Sequence, residues 1–301
     1  MRLHAALSML LLGDATALRA SCVMSAAADR RPGKPYTFLT IQPKFTVQDW
    51  DSAQLILEQM VDQSRSEMGC AYYGFTRCAA ENSLFCSEAY EDADAVLTHI
   101  RQISPLAEKL TAPGIATLDQ VSLHGPESEL AKVKAGLDAE RAARWQFYVI
   151  DSGVSYFTKQ TGAIMKSQTM LSIKPTFTVS DWSKAKPIMD EFVRRTQAEP
   201  GCIYYGWTID RPAGKLFCRE AYFNADDVLS HLENVGSLVE ELVADGVATL
   251  DRIELHGPRM QLERCKAAMD PFGTAYYNLE MGFQKFEAWA GWEGWRSNVR
   301  F

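Results

Sequence analysis

Apolar side chains recur at three- and four-residue steps through residues 49–67, at Trp50, Ala53, Ile56, Leu57, Met60 and Val61. That spacing places them on one face of a helix. The pattern returns at Trp182, Ala185, Ile188, Met189, Phe192 and Val193, with Pro187 inside it. A proline there predicts an early kink or a late start for the second helix. Residues 38–45, 70–76, 84–90 and 116–123 read as strands, and so do their counterparts in the second half. Gly69 and Gly201 end the first helix of each half, and Asp92 and Asn224 open the next. That helix carries Val96, Leu97, Ile100 and Ile103 in one half and Val228, Leu229, Leu232 and Val235 in the other. A short helix follows, over about 128–137 and 260–269. An extended tail comes last, over about 145–156 and 275–286.

The two halves are copies at a constant offset of 132 residues, as Trp50 to Trp182 shows. Residues 40–126 and 172–258 share 41 identities in 87 positions without a gap. A period this long gives each copy a core of its own, which a solenoid unit lacks. The expected domains are 35–165 and 166–301. Each has the order β-α-β-β-α-β, the split unit of ferredoxin-like folds.

The string Gly201-Cys-Ile-Tyr-Tyr-Gly-Trp207, a turn at 211–215, then Leu216-Phe-Cys-Arg-Glu-Ala-Tyr222 and His231 resembles the antibiotic biosynthesis monooxygenase (ABM) domain. Glu88 and Glu220 match the family glutamate, and His99 and His231 its histidine. Tyr90 and Tyr222 stand where the family has tryptophan. The resemblance covers about 90 residues in each copy. It implies an α+β fold, the dimeric α/β barrel, in which two ferredoxin-like sheets pair with helices outside and a pocket in each half. A four-stranded sheet with helices on one side leaves its other face in need of a partner, expected to be apolar. Two copies on one chain supply that partner internally, so a monomer acting as a pseudo-dimer is expected; further oligomerisation is left open.

By the same resemblance the chain is a cofactor-independent monooxygenase-like enzyme. It would deprotonate an aromatic, quinol-like or polyketide small molecule, whose anion then meets oxygen directly. His99 and His231 would be bases, since imidazole titrates near working pH. Glu88 and Glu220 would orient them. Side chains alternate along a strand, so Cys86, Glu88 and Tyr90 share a face, as do Cys218, Glu220 and Tyr222. These, with Tyr73, Tyr205 and Trp207, are the expected pocket walls. Tyr72 and Tyr204 are further aromatic candidates. Each residue also has a plain structural role open to it: a packing histidine, a paired carboxylate, a core aromatic. His124 and His256, before Gly-Pro, read as turn-stabilising. Phe75 against Trp207 and Ser87 against Arg219 point to unequal interiors. Haem-degrading relatives use an asparagine on the first strand; residues 38–45 and 170–177 have none, which leaves only haem binding through His99 or His231 open. The competing class is a non-catalytic hydrophobic-ligand-binding or scaffold protein of the same fold.

Composition narrows this little further. Charged residues make up 23 % and net charge is −7, so a basic footprint for nucleic acid is absent. Seven cysteines without a CxxC, and histidines not at ligand spacing from them, point to no metal. No stretch is long enough to span a bilayer as an apolar helix. No nucleotide-binding glycine loop occurs. Residues 1–34 carry an apolar run at 5–12, a small-x-small site at 15–17 and an Arg/Ser/Ala-rich stretch. That layout predicts a two-part plastid address, with secretion as the alternative.

Overall fold

A computed structural model describes residues 34–35, 38–155 and 170–285. The expected targeting segment, bar its last residue, lies outside them. The first half runs β1 (Leu39–Val47), α1 (Trp50–Arg65), β2 (Cys70–Cys78), β3 (Ser83–Tyr90), α2 (Ala93–Leu110), β4 (Ala116–Gly125), α3 (Glu127–Gly136), α4 (Ala139–Arg144) and β5 (Gln146–Ser155). The second runs β6 (Leu171–Val179), α5 (Trp182–Thr196), β7 (Cys202–Asp210), β8 (Lys215–Tyr222), α6 (Ala225–Val243), β9 (Ala248–Gly257), α7 (Arg259–Met269) and β10 (Ala275–Gln284). The helix α5 starts at Trp182, as α1 starts at Trp50, so the late start predicted from Pro187 does not occur. The Asp181 carboxylate accepts from the amides of Ser183 and Lys184 and fixes the first turn. Pro187 then forfeits one backbone bond to that turn.

The strands close into a ten-stranded barrel in the order β5-β4-β1-β3-β2-β10-β9-β6-β8-β7, and β7 pairs back to β5. The seams between halves are backbone ladders made by the tail strands. β5 runs parallel to β4 and antiparallel to β7. β10 runs parallel to β9 and antiparallel to β2. Glycines allow the close approach at both seams. A Cβ on Gly153 would sit 2.5 Å from the Tyr205 carbonyl oxygen, and one on Gly282 would sit 2.5 Å from that of Tyr73.

Alternation along the strands divides the barrel wall. Outward-facing Leu39, Ile41, Leu84, Cys86, Tyr90 and Leu123 pack under the helices of the first half, joined by Phe283 from β10. Their counterparts do the same in the second half, joined by Val154 from β5. The inner face is not the bare apolar surface the sequence predicts. It buries Ser122, His124, Lys174, Arg219, Glu254 and His256. The histidines there bridge the halves instead of stabilising turns. His124 Nδ1 lies 2.8 Å from Thr208 Oγ1, and His256 Nδ1 lies 2.7 Å from Thr76 Oγ1. Among the described residues no helix is long and apolar enough to cross a membrane.

Candidate active site

Three elements of the first half converge between sheet and helices. Strand β3 carries Glu88, α2 carries His99, and the turn between α1 and β2 carries Glu67. Asp92 starts α2 by accepting from the Ala95 amide at 2.9 Å. The Glu67 turn lies directly on α2, since a Cβ on Gly69 would come within 2.3 Å of the Ala95 Cβ. The absence of a side chain at Gly69 therefore lets Glu67 reach the histidine.

His99 is held between two carboxylates. Its Nδ1 lies 2.9 Å from Glu67 Oε2, and its Nε2 lies 3.2 Å from Glu88 Oε2. The Tyr90 hydroxyl donates to the same Glu88 oxygen at 2.8 Å. All four side chains are buried. Burial pulls the His99 pKa down, but the charges of Glu88 and Glu67 outweigh it, and the net direction is up. Burial raises Glu88 above the ordinary carboxylate value, against the opposing pull of His99 and Tyr90. Both ring nitrogens of His99 thus lie at hydrogen-bond distance from a carboxylate.

The second half repeats the arrangement. His231 Nδ1 lies 2.9 Å from Glu199 and Nε2 3.1 Å from Glu220, to which the Tyr222 hydroxyl donates at 2.5 Å. Burial lowers His231, and Glu220 and Glu199 reverse that and hold it at about 9.

A pocket of ≈ 470 Å³ opens onto the first-half cluster. Glu88, His99 and Tyr73 form its floor. Ile41, Phe45, Met60, Ile103 and Val121 form apolar walls, and Asp138, Glu140, Arg141, Arg144 and Trp145 of α4 and its flanks frame the mouth. At equivalent positions of the second half Met60 becomes Phe192, Ala107 becomes Val239, Thr111 becomes Val243 and Phe75 becomes Trp207. Trp207 is buried and meets Phe192 edge-to-face at 5.4 Å. The helix α4 is replaced by the single turn Asp270–Phe272, whose Phe272 packs onto the core.

The structure thus brings Glu88, His99, Tyr73 and Tyr90 together in the first half, and Glu220, His231, Tyr205 and Tyr222 in the second. Tyr90 and Tyr222 bind the glutamates from beneath. Cys86 and Cys218 are core residues, and burial pushes both thiols well up. Trp207 is buried in the second-half core. Tyr72 and Tyr204 face the barrel interior, away from the pocket. Three features escape the sequence reading. Glu67 and Glu199 sit at matching repeat positions two residues before Gly69 and Gly201, and that shared identity was a usable signal. Phe283 arrives from the other half, stacked on Tyr73 with centroids 6.1 Å apart. The helix α4 belongs to one copy alone, so the repeat could not announce it.

No family model matches the chain, and no curated protein matches it. Solved structures do. A protein of Fusobacterium nucleatum named "putative monooxygenase" aligns over 83 % of this chain and 96 % of its own, with 13 % identity and a TM-score of 0.53. MupZ from Pseudomonas fluorescens is 29 % identical over 37 % of this chain and 91 % of its own, with a TM-score of 0.35. A Listeria monocytogenes ferredoxin-fold protein described as related to antibiotic biosynthesis monooxygenases covers 73 % of this chain and 93 % of its own, at 6 % identity and a TM-score of 0.33. The Fusobacterium alignment spans both halves and carries the comparison: this chain has an ABM-like fold.

Proposed function

We propose that the chain is a cofactor-independent oxygenase of an aromatic or quinol-like small molecule, built as two ferredoxin-like domains that form an intramolecular pseudo-dimer, with the working site in the first half. The observation that carries this reading is a buried carboxylate of raised pKa, Glu88, at the floor of an apolar pocket. Such a group is a base suited to neutral pH. Its Oε2 is taken by His99 and Tyr90, and Oε1 is the oxygen assigned to the substrate proton. This reverses the roles read from sequence. Glu88 is the base, and His99, clamped by Glu67, is the positioning residue.

Glu88 takes a proton from an activated CH₂ of the substrate. The carbanion passes its electrons to O₂, and a carbon–oxygen bond forms to give a hydroperoxide. Loss of the second hydrogen and of hydroxide, released as water, leaves a carbonyl. One oxygen atom ends in product and one in water. The CH₂ group supplies all four electrons, so no outside reductant is needed. The apolar walls disfavour water around the anion, which keeps it reactive. In the second half larger side chains stand at the corresponding positions, Phe192 for Met60, Trp207 for Phe75 and Val239 for Ala107, which supports a structural role for His231 and Glu220.

Oxygen uptake with a panel of aromatic substrates that carry an activated CH₂ group, such as anthrone-type tricyclics, tests the reading. Uptake with at least one, lost in Glu88→Gln, supports it. Binding of aromatic dyes with no uptake from any of them overturns it in favour of a binding module.

A further inference from the structure

The segment over the mouth of the first-half pocket is a feature the oxygenase reading does not use. Helix α4 and its flanks supply Asp138, Glu140, Arg141, Arg144 and Trp145 to that mouth, yet no residue of α4 is buried. The segment is secured at its two ends. Before it, Gly136 lies against α2, where an added Cβ would come within 2.6 Å of Leu97 Cδ1, and Leu137 packs on the first-half core. After it, Trp145 packs on the same core and leads into β5. Between these anchors, among the described residues, the ion pairs stay inside the segment. Arg141 pairs with Asp138 at 3.4 Å and Arg144 with Glu140 at 3.2 Å. Exposed pairs of this kind add little stability in water. A stretch with no buried apolar surface opens and closes at small cost. The repeat places this segment where a pocket needs covering. His124 and Gly153 are 29 residues apart and His256 and Gly282 are 26 apart, so the first copy carries three more residues between these points. In the second half, where Phe192 and Val239 stand for Met60 and Ala107, the turn Asp270–Phe272 takes the place of α4 and Phe272 packs onto the core.

We propose that α4 is a cap that closes over substrate in the first-half pocket and shields the Glu88 floor from water during turnover. This rests on the first-half pocket being the working site. Closure brings the mouth side chains onto the outer end of the substrate, and the exclusion of water keeps the substrate anion reactive toward oxygen. Hydrogen–deuterium exchange in the full chain tests the cap, with an anthrone-type tricyclic bound in the absence of oxygen so that it is not consumed. Binding itself is followed by calorimetry. Amide exchange across residues 139–145 is expected to slow by about tenfold or more on binding, with the turn at 270–272 unchanged as the internal control. Ala142→Pro breaks α4 at a residue that does not line the pocket, because the ring removes the amide that bonds to the Asp138 carbonyl. It should raise KM by about tenfold. Urea unfolding of the whole chain should stay as in wild type, since α4 buries no residue. A bound tricyclic with exchange unaltered, or an unmoved KM in Ala142→Pro, would overturn the cap and leave the oxygenase reading standing. Failure of every tricyclic to bind would overturn both.

Discussion

The ring of Phe283 stacks on that of Tyr73 across the seam between the halves, so the tail strand of the second half backs a residue that lines the first-half pocket. Lys285, just beyond, donates to the Glu67 carbonyl at 2.6 Å and its own amide bonds to the Ala71 carbonyl. Site and seam are therefore one piece of structure. Phe283→Ala removes a fully buried aromatic, and a loss of about 3–5 kcal/mol in urea unfolding is expected. The same change should lower turnover, because Tyr73, which lines the pocket, loses the ring it stacks on. Unchanged activity at reduced stability would separate the seam from the site.

The pH dependence follows from the charge states. Glu88 works ionised, so activity rises as pH climbs through a value above the ordinary 4.5. In the proposed mechanism His99 is charged, so activity falls again above a value higher than the ordinary 6.5. A bell results, and Glu67→Gln should move its alkaline limb down, because the clamp on His99 loses one carboxylate. A merely structural Glu67 would change stability without moving that limb. KM should change little.

Stability has its own sign. His231 is raised from 6.5 to about 9 on folding. Its contribution is complete below pH 6.5 and is lost as pH rises through about 9. Chemical unfolding at pH values across that window should show falling stability, and His231→Gln should flatten the slope there while lowering the whole curve.

Filling the first pocket with the second half's own side chains checks the asymmetry. Met60→Phe with Ala107→Val should raise KM or lower kcat/KM by about tenfold or more, which corresponds to about 1.4 kcal/mol of transition-state binding. Folding should survive, since the other copy already packs phenylalanine and valine at these positions. Undiminished kcat/KM would place the substrate elsewhere.

Much of the fold was legible because each element is written twice. Trp50 and Trp182, Asp92 and Asn224, and Gly69 and Gly201 mark the same boundaries in both halves, and a reading that failed in one copy would have clashed with the other. The cross-seam pairing was not legible, because Gly153 and Gly282 sit in tails where nothing local says which strand they will meet. The site was half legible. His99 and Glu88 stood out by motif, but their roles depend on a third carboxylate. Glu67 lies in a turn, and only the packing of Gly69 onto Ala95 brings it to the ring. The polar barrel interior was hidden for a different reason. Ser87 against Arg219 marks unequal interiors but does not say which face of the sheet carries the charge, and Lys174 against Gln42 carries no motif.

The most direct measurement is steady-state oxygen uptake by Glu88→Gln beside Glu220→Gln, with folding of both checked by near-ultraviolet circular dichroism. The account predicts a fall of ~10²–10⁴-fold for Glu88→Gln, the usual contribution of a general base, and a rate within about twofold of wild type for Glu220→Gln. Equal losses in the two variants, or full activity in Glu88→Gln, would contradict a single working carboxylate in the first half.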